Sequence, residues 1–321
     1  MAEELIPFQQ AALEKLSKLH EKAGDYIRQA TADNTRRGYL SDWTDFDNWC
    51  AEHSLQSLPA APATVAHYLT ARADTLKVSS LQRRLAAIVK YHKVANYPDP
   101  TKAEEVKACW RGIRRDKGIA TTQKAPAIID IIRELVSVLP DSLLGCRDRA
   151  LLLVGFAGAF RRSELVSLNV DDLIFDRNGL TITLRRSKTD QEGAGRKVGI
   201  LYGSNLATCP VRSMQDWMVQ ADIKAGAAFR SINRHGQVSL DRLSSQSVAL
   251  VVKKYAELSG LDPALYAGHS LRAGLVTSAE IAGVSERAIM NQTGHRNTEM
   301  VRRYIRDADI FRDNPTGKIG L

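Results

Sequence analysis

The segment Leu180-Thr-Ile-Thr-Leu184, followed by Asp190-Gln-Glu-Gly-Ala-Gly195 and then by Val198-Gly-Ile-Leu201, decides how the chain can fold. The first part alternates in a way that is typical of a half-buried strand. The polar, glycine-containing part favours a turn, and the last part is apolar again, so we predict a β-hairpin. Because the flanking sequence has helical spacing, the hairpin indicates a mainly α fold with a small antiparallel sheet.

The sequence before the hairpin predicts helices that are joined by short loops. Their approximate positions are residues 5–29, a helix from Thr31 or Asp33 onward, a helix around Val65, a helix capped by Ser79 or Ser80, and residues 102–115. Residues 119–127 are polar, so we predict a linker between a helical domain (1–118) and a second domain (128–321). In the second domain, helices over 128–139, over 143–156 and from Pro210 onward surround the hairpin.

The chain has 321 residues and a net charge of +9, which favours a polyanionic partner by long-range attraction. A basic soluble enzyme without such a partner remains the alternative. The distribution of charge supports the polyanion, because eleven basic residues and only four acidic ones lie between Lys77 and Lys117. Four arginines on two predicted helices are candidates for DNA contacts, although a solvated helix face is the better explanation for any one of them taken alone. They are Arg36, Arg37, Arg83 and Arg84.

Other bulk features narrow the class of protein. No apolar run reaches the roughly 18 residues that span a bilayer. The first residues lack the basic start and apolar core of a secretion signal, so we expect a cytoplasmic protein associated with the nucleoid. The cysteines are too far apart to pair as zinc ligands, and we expect reduced thiols and no metal or cofactor. They are Cys50, Cys109, Cys146 and Cys209.

His269-Ser-Leu-Arg272 opens a predicted helix, where positions i and i+3 share a face. A histidine and an arginine so placed can converge on one phosphate, and the arginine fork binds phosphate bidentately without losing its charge. Such a pair also arises often by chance on a helix surface. The motif therefore needs support from elsewhere in the chain.

Thr293-Gly-His295 lies before Tyr304 in the chain. If one continuous helix carried both His295 and Tyr304, their spacing would put them on opposite sides of it. Asn297 or Thr298 can cap a new helix, however, with His295 in the preceding loop and Tyr304 on the second turn. Both side chains could then reach one point. The alternative is a structural tyrosine, because Met300, Val301, Tyr304 and Ile305 form an apolar stripe.

Four segments together resemble the motifs of the tyrosine recombinase, or phage integrase, family in order and spacing. They are Arg161-Arg-Ser-Glu-Leu165, Ser187-Lys-Thr189, Gly268-His-Ser-Leu-Arg272, and Thr293-Gly-His295 with Tyr304. The resemblance extends over nearly the whole second domain and, more loosely, over the helical first domain. It implies a simple two-domain member of the Cre or Xer type, with a helical core-binding domain and an α+β catalytic domain.

The resemblance also implies a role for each matching residue. Arg161, rather than Arg162, and Arg272 would bind the phosphate, and Glu164 would support the site. Lys188 would protonate the leaving 5′ oxygen, with Lys197 as the second choice.

In the same scheme His269 would act in acid–base catalysis, His295 would hydrogen-bond a non-bridging oxygen, and Tyr304 would be the nucleophile. These groups could cleave a phosphodiester without a metal ion.

The implied function is site-specific recombination through a 3′-phosphotyrosine and a Holliday junction. The implied partners are duplex DNA with inverted-repeat sites, three further copies in a tetramer and, for some members, an accessory directionality protein; no membrane partner is expected. The tail over 306–321 would dock on a neighbouring subunit. Two alternatives stay open, a type IB topoisomerase-like nicking-closing enzyme and a non-catalytic DNA-binding protein.

Overall fold

A computed structural model describes residues 15–26, 33–118, 124–185, 195–295, 297–299 and 301. The chain divides into two compact units, Met1–Thr122 and Gln123–Leu321. In the described ranges, no helix is long and apolar enough to cross a membrane.

The first unit consists of helices around one apolar core. Helix α1 covers residues 15–26, and the others are α2 (Asp33–Glu52), α3 (Pro62–Ala73), α4 (Val78–Val94) and α5 (Glu104–Lys117). Phe46, Tyr68, Leu69, Leu81 and Ile88 are fully buried between α2, α3, α4 and α5. Their aromatic and aliphatic residues recur at helical spacing, which is why each of these four helices turns one face inward. Helix α1 is exposed along nearly its whole length.

The start of α4 differs from the prediction. Neither Ser79 nor Ser80 caps the helix, because Lys77 takes the N-cap position in extended conformation and its carbonyl already accepts the Ser80 amide. The helix therefore begins at Val78 without a side-chain cap. At α3, by contrast, Pro62 occupies the first helical position, where its missing N–H is not needed.

The second unit is also mainly helical. Its helices are α6 (Ile129–Ser137), α7 (Leu143–Ala157), α8 (Arg162–Ser167), α9 (Pro210–Gln220), α10 (Ser245–Leu258), α11 (Gly268–Ile281) and α12 (Glu286–Thr293). Helix α7 carries Arg147, Asp148 and Arg149 in its first half but is apolar all round from Ala150 onward, and its residues from Ala150 to Val154 form the centre of the core. A helix of this composition has to be surrounded by other elements.

The predicted hairpin forms, as β2 (Gly179–Leu184) and β3 (Arg196–Leu201), antiparallel and in register from Gly179 opposite Leu201 to Leu184 opposite Arg196. A third strand, β1 (Leu173–Asp176), pairs with β2 and completes a three-stranded sheet. A separate ribbon joins β4 (Arg230–Ile232) and β5 (Val238–Arg242). The sequence did not predict β1, β4 or β5, because each strand has only three to five residues, too few to establish a strand period.

Helix α11 is fixed by a close backbone contact with the segment that opens the second unit. The Ala125 amide donates to the Leu265 carbonyl at 2.8 Å, and the Ala127 amide donates to the Ser270 carbonyl at 2.9 Å. One turn further along, Gly274 lies against the Ala127 backbone, where a Cβ would stand 1.9 Å from the carbonyl oxygen. Only glycine fits at this position of α11 without moving one of the two backbones.

We expect Gly274→Ala to lower the free energy of unfolding of the second unit by about 3 kcal/mol, because the added methyl group meets rigid backbone. Urea denaturation of the full chain, with hydrogen exchange of the α11 amides, measures this. Gly199→Ala in β3 is the matched control: nothing lies within 4 Å of its Cβ position, and we expect stability to stay equal or rise by up to about 1 kcal/mol. Equal stability of the two variants would contradict the contact.

Candidate active site

Arg161 and Glu164 are held together at the start of α8. Arg161 is the N-cap residue, and its backbone amide donates to Glu164 Oε2 at 2.9 Å while its Nη1 donates to Glu164 Oε1 at 2.5 Å. The Glu164 side chain is 2% exposed, so the carboxylate is a buried anchor for the arginine. Arg162, the other candidate at this position, is exposed on the first turn of α8. Of the two arginines, Arg161 is therefore the one that is oriented by a buried partner.

Arg272 occupies the interior of the site. It lies on α11, it is 1% exposed, and its Nη1 donates to the carbonyl of Ala159 at 2.8 Å. Ala159 has a φ of 49°, in the left-handed region, within the turn between α7 and α8. The Nη2 of Arg272 donates to His295 Nε2 at 2.9 Å. The side chain of Arg272 thus connects α11, the α7–α8 turn and the loop after α12.

His295 follows a helix end of defined geometry. Gly294 has a φ of 69° and ends α12 in the left-handed conformation that glycine adopts without strain. His295 then lies in the loop, and its Nδ1 is 2.8 Å from Thr293 Oγ1. The side chain of Asn297 accepts the Glu299 amide at 2.8 Å, and residues 298 and 299 are helical, so Asn297 is a cap of the next helix.

Two of the predicted residues lie outside the described ranges, namely Lys188 and Tyr304. Val301, which belongs to the apolar stripe that includes Tyr304, is fully buried against Val276 and Ile289. Lys197, the alternative to Lys188, is exposed on β3. Because neighbouring strand residues point to opposite faces, Lys197 points away from the face that Arg196 uses to reach α12.

Burial and the neighbouring cations lower the pKa values of both imidazoles. Burial, with Arg272 and Arg161 next in importance and His269 and Arg196 after them, lowers the pKa of His295 to about 4. Partial burial beside Arg272 and Arg161 also lowers the pKa of His269. Both rings are therefore neutral at neutral pH, and the positive charge resides on the guanidinium groups. In the described part of the chain, no group of three or more His, Cys, Asp and Glu side chains could hold a metal ion.

Arg196 is part of the site although sequence reasoning did not single it out. At the start of β3, its Nη1 donates to the Gln292 carbonyl at 3.0 Å and its Nη2 to the Thr293 carbonyl at 3.3 Å. A cation at the C-terminus of α12 is favourable there. Burial lowers the pKa of Arg196, whereas Glu164 raises it and Arg161 lowers it, so all three charges act on one another. No sequence signal marks this residue, since its partners are backbone carbonyls almost one hundred residues away.

Gln292 makes a second connection between α12 and the rest of the unit. Its Nε2 donates to the carbonyl of Ala157 at 2.8 Å and to the carbonyl of Gly199 at 3.1 Å. The end of α12 is thereby attached both to β3 and to the end of α7. His295, three residues later, takes its position from these attachments.

The arginines that were predicted to contact DNA lie in the first unit and differ in their surroundings. Arg36 and Arg37 are exposed on α2. Arg83 forms a bidentate ion pair with the buried carboxylate of Asp42. The Arg84 side chain is 14% exposed, 2.6 Å from Asp45, and donates to the Tyr68 hydroxyl. Arg83 and Arg84 therefore each have a carboxylate partner within the unit, and Arg84 shares Asp45 with Arg72.

Removal of the Arg196 guanidinium should loosen the end of α12. We expect Arg196→Met, which keeps most of the apolar stem, to cost about 1–3 kcal/mol because two carbonyls lose a charged donor, and to speed hydrogen exchange over residues 289–295. Arg196→Lys keeps the charge and is the matched control, with a smaller effect on both quantities. Unchanged exchange in Arg196→Met would show that the hydrogen bonds do not hold α12.

Comparison with protein families gives two matches that together cover most of the chain. Residues 99–310 match the phage integrase family. Residues 25–96 match the phage integrase N-terminal SAM-like domain. The two matched segments follow each other in the order of the two units.

Individual proteins and solved structures agree with these matches. The chain is 40% identical over 313 residues to an integrase/recombinase xerD homolog of Selenomonas ruminantium, across 96% of this chain and 92% of that protein. It is 25% identical over 303 residues to Recombinase cre of Escherichia phage P1, across 88% and 86%. A lambda integrase dimer bound to a COC′ core site has a similar fold, with a TM-score of 0.61 and 15% identity over 93% of this chain and 78% of that one.

Proposed function

The chain belongs to the phage integrase family of tyrosine recombinases, and from that premise we propose that it cleaves and rejoins DNA through a 3′-phosphotyrosine intermediate. One observation supports this most directly. Arg161 and Arg272 flank two imidazoles that are neutral at neutral pH, with the buried Glu164 to orient Arg161. Such a cluster of positive charge around neutral hydrogen-bonding groups suits a phosphodiester.

In the proposed reaction, the Tyr304 hydroxyl attacks the scissile phosphate and the 5′ oxygen leaves. Negative charge that develops on the non-bridging oxygens is stabilised by Arg161 and Arg272. A tyrosine hydroxyl ordinarily loses its proton near pH 10, so it needs a base or a cationic site to react at neutral pH. We propose that His269, which is neutral and accessible beside Arg272, accepts the proton of the Tyr304 hydroxyl.

The remaining groups act on the phosphate and on the leaving oxygen. His295 donates to a non-bridging oxygen, and Lys188 donates a proton to the 5′ oxygen. The energy of the broken bond is kept in the phosphotyrosine, so a 5′ hydroxyl from the partner duplex can religate the strand without ATP. Two rounds of this exchange form and resolve a Holliday junction.

We propose duplex DNA with inverted-repeat sites as the substrate, bound on the nucleoid. Structures of relatives have been solved with DNA, among them the lambda integrase dimer on a core site. Four copies would act together, with the tail over 306–321 docked on a neighbour, and an accessory protein could set direction. For DNA contacts in the first unit we favour Arg36, Arg37 and Arg83, which are exposed, over Arg84, whose side chain is 14% exposed.

We expect Tyr304→Phe to bind DNA as well as the unchanged protein but to form no covalent adduct, because the nucleophilic oxygen is gone. The measurement uses a nicked suicide substrate made from the inverted repeats that flank the gene, with the adduct resolved on a denaturing gel. Tyr266→Phe, which removes a hydroxyl outside the proposed machinery, is the control and should form the adduct normally. The proposal is falsified if Tyr304→Phe still forms it.

Two further DNA substrates, together with the suicide substrate, separate the alternatives. Resolution of a synthetic Holliday junction by the unchanged protein supports a recombinase, whereas relaxation of supercoiled DNA without junction resolution supports a type IB topoisomerase-like enzyme. Binding without any adduct supports a non-catalytic DNA-binding protein.

The role of Lys188 is tested through the leaving group. A substrate with sulfur in place of the bridging 5′ oxygen has a leaving group of much lower basicity, which departs without protonation. We expect Lys188→Ala to lose adduct formation by about a hundredfold on the oxygen substrate and to recover on the sulfur substrate. Lys197→Ala should be close to the unchanged protein on both. The reverse pattern would assign the proton to Lys197.

A further inference from the structure

The two ring nitrogens of His295 have different hydrogen-bonding roles in this structure. Nε2 lies 2.9 Å from Arg272 Nη2, and Nδ1 lies 2.8 Å from Thr293 Oγ1. A guanidinium group only donates hydrogen bonds, so Nε2 must present its lone pair to Arg272. In a neutral ring the single proton is then on Nδ1, and it points at the Thr293 hydroxyl.

Thr293 completes a directed chain of hydrogen bonds. Its side chain is fully buried, and Oγ1 lies 2.8 Å from the Ile289 carbonyl oxygen. A hydroxyl has one proton to give, and the carbonyl cannot donate. Thr293 therefore donates to Ile289 and accepts from His295 Nδ1–H.

This arrangement conflicts with the role of His295 in the proposed function, on which the present inference rests. A non-bridging phosphate oxygen accepts hydrogen bonds, so a ring that binds it through Nε2 must have its proton on Nε2. In the structure, that nitrogen has none to give. The proton arrangement must therefore change when the phosphate enters.

We propose that Thr293 is a positioning residue whose hydroxyl can reverse its hydrogen bond and so supports both neutral forms of His295. As the phosphate enters, Arg272 Nη2 turns its N–H to a phosphate oxygen. Nδ1 gives its proton to water, and Nε2 takes one from water, so the number of protons on the ring is unchanged. The Thr293 hydroxyl rotates from Ile289 and donates to Nδ1. The Ile289 carbonyl keeps its α-helical partner four residues on.

Charges around His295 favour this neutral exchange over uptake of a second proton. Arg272 and His269 face the ring from α11, Arg161 from the start of α8, and Arg196 from β3. Three of these are permanent cations. An imidazolium among them is opposed even when one phosphate charge is present, whereas a change of tautomer adds no charge.

Two variants of Thr293 separate a reversible hydrogen bond from simple space filling. Thr293→Val keeps the shape and removes the hydroxyl. Thr293→Ser keeps the hydroxyl and removes a methyl group. A residue that only fills space would tolerate valine better than serine, whereas our inference requires the opposite order for catalysis.

The first measurement needs no ligand. In full-length protein labelled with ¹⁵N-histidine, the ring signals of His295 are identified by their loss in His295→Asn. We expect the Nδ1–H form in the free protein, with an unprotonated Nε2, and the same form in Thr293→Ser. A protonated Nε2 in the free protein would overturn the inference whatever the activity.

The second measurement is the rate of adduct formation on the nicked suicide substrate. We expect Thr293→Val to be slowed about ten- to a hundredfold at saturating protein, because the buried Nδ1–H of His295 loses its hydrogen-bond partner. DNA binding should be unchanged, and the melting temperature should fall by only about 2–4 °C. Thr293→Ser should stay within about threefold of the unchanged protein. A normal rate in Thr293→Val overturns the inference.

Failure of the Thr293 inference and failure of the proposed function give different experimental results. A normal rate in Thr293→Val together with an inactive Tyr304→Phe removes only the role of Thr293. An adduct in Tyr304→Phe removes the proposed function, while the spectrum of the free protein still reports the tautomer.

Discussion

The buried guanidinium of Arg272 is the group around which the second unit is organised. An ion in a protein interior costs several kcal/mol unless its donors are satisfied. Two of its partners come from separate parts of the chain, the carbonyl of Ala159 in the α7–α8 turn and the ring of His295 after α12. Folding of these segments therefore brings Arg272 and His295, two residues of the candidate site, into contact.

The three-stranded sheet helps to position the end of α12 and the loop that carries His295. Through Arg196 and Gln292, strand β3 is attached to the end of α12, one residue before the glycine that turns the chain toward His295. At the same end of the hairpin, on the other strand, Arg185 follows β2 and pairs with the buried carboxylate of Asp172 at 2.6 Å. Both strands are therefore fixed next to the segment 186–194, which contains the proposed lysine, Lys188.

Features set by local patterns could be predicted from the sequence, and features set by distant backbone could not. The β2–β3 hairpin, most helices, and the convergence of His269 with Arg272 depend on periodicity and spacing of neighbours. The contributions of Arg196, Gln292 and Thr293 depend on carbonyl groups or a ring whose position only the folded chain defines. Arg84 illustrates the same limit, because nothing near it in the sequence reveals its pairing with Asp45, 39 positions earlier. The start of α4 was missed because a serine was favoured where a lysine takes the cap position.

The contact between Gly274 and Ala127 has a mechanical consequence. The segment over 125–127 is hydrogen-bonded to Leu265 and to Ser270, and Ser270 lies between His269 and Arg272. A displacement of residues 125–127 would therefore be passed through backbone hydrogen bonds to Ser270, between the proposed proton acceptor His269 and the proposed phosphate ligand Arg272. The start of the second unit and the candidate site are thus mechanically coupled.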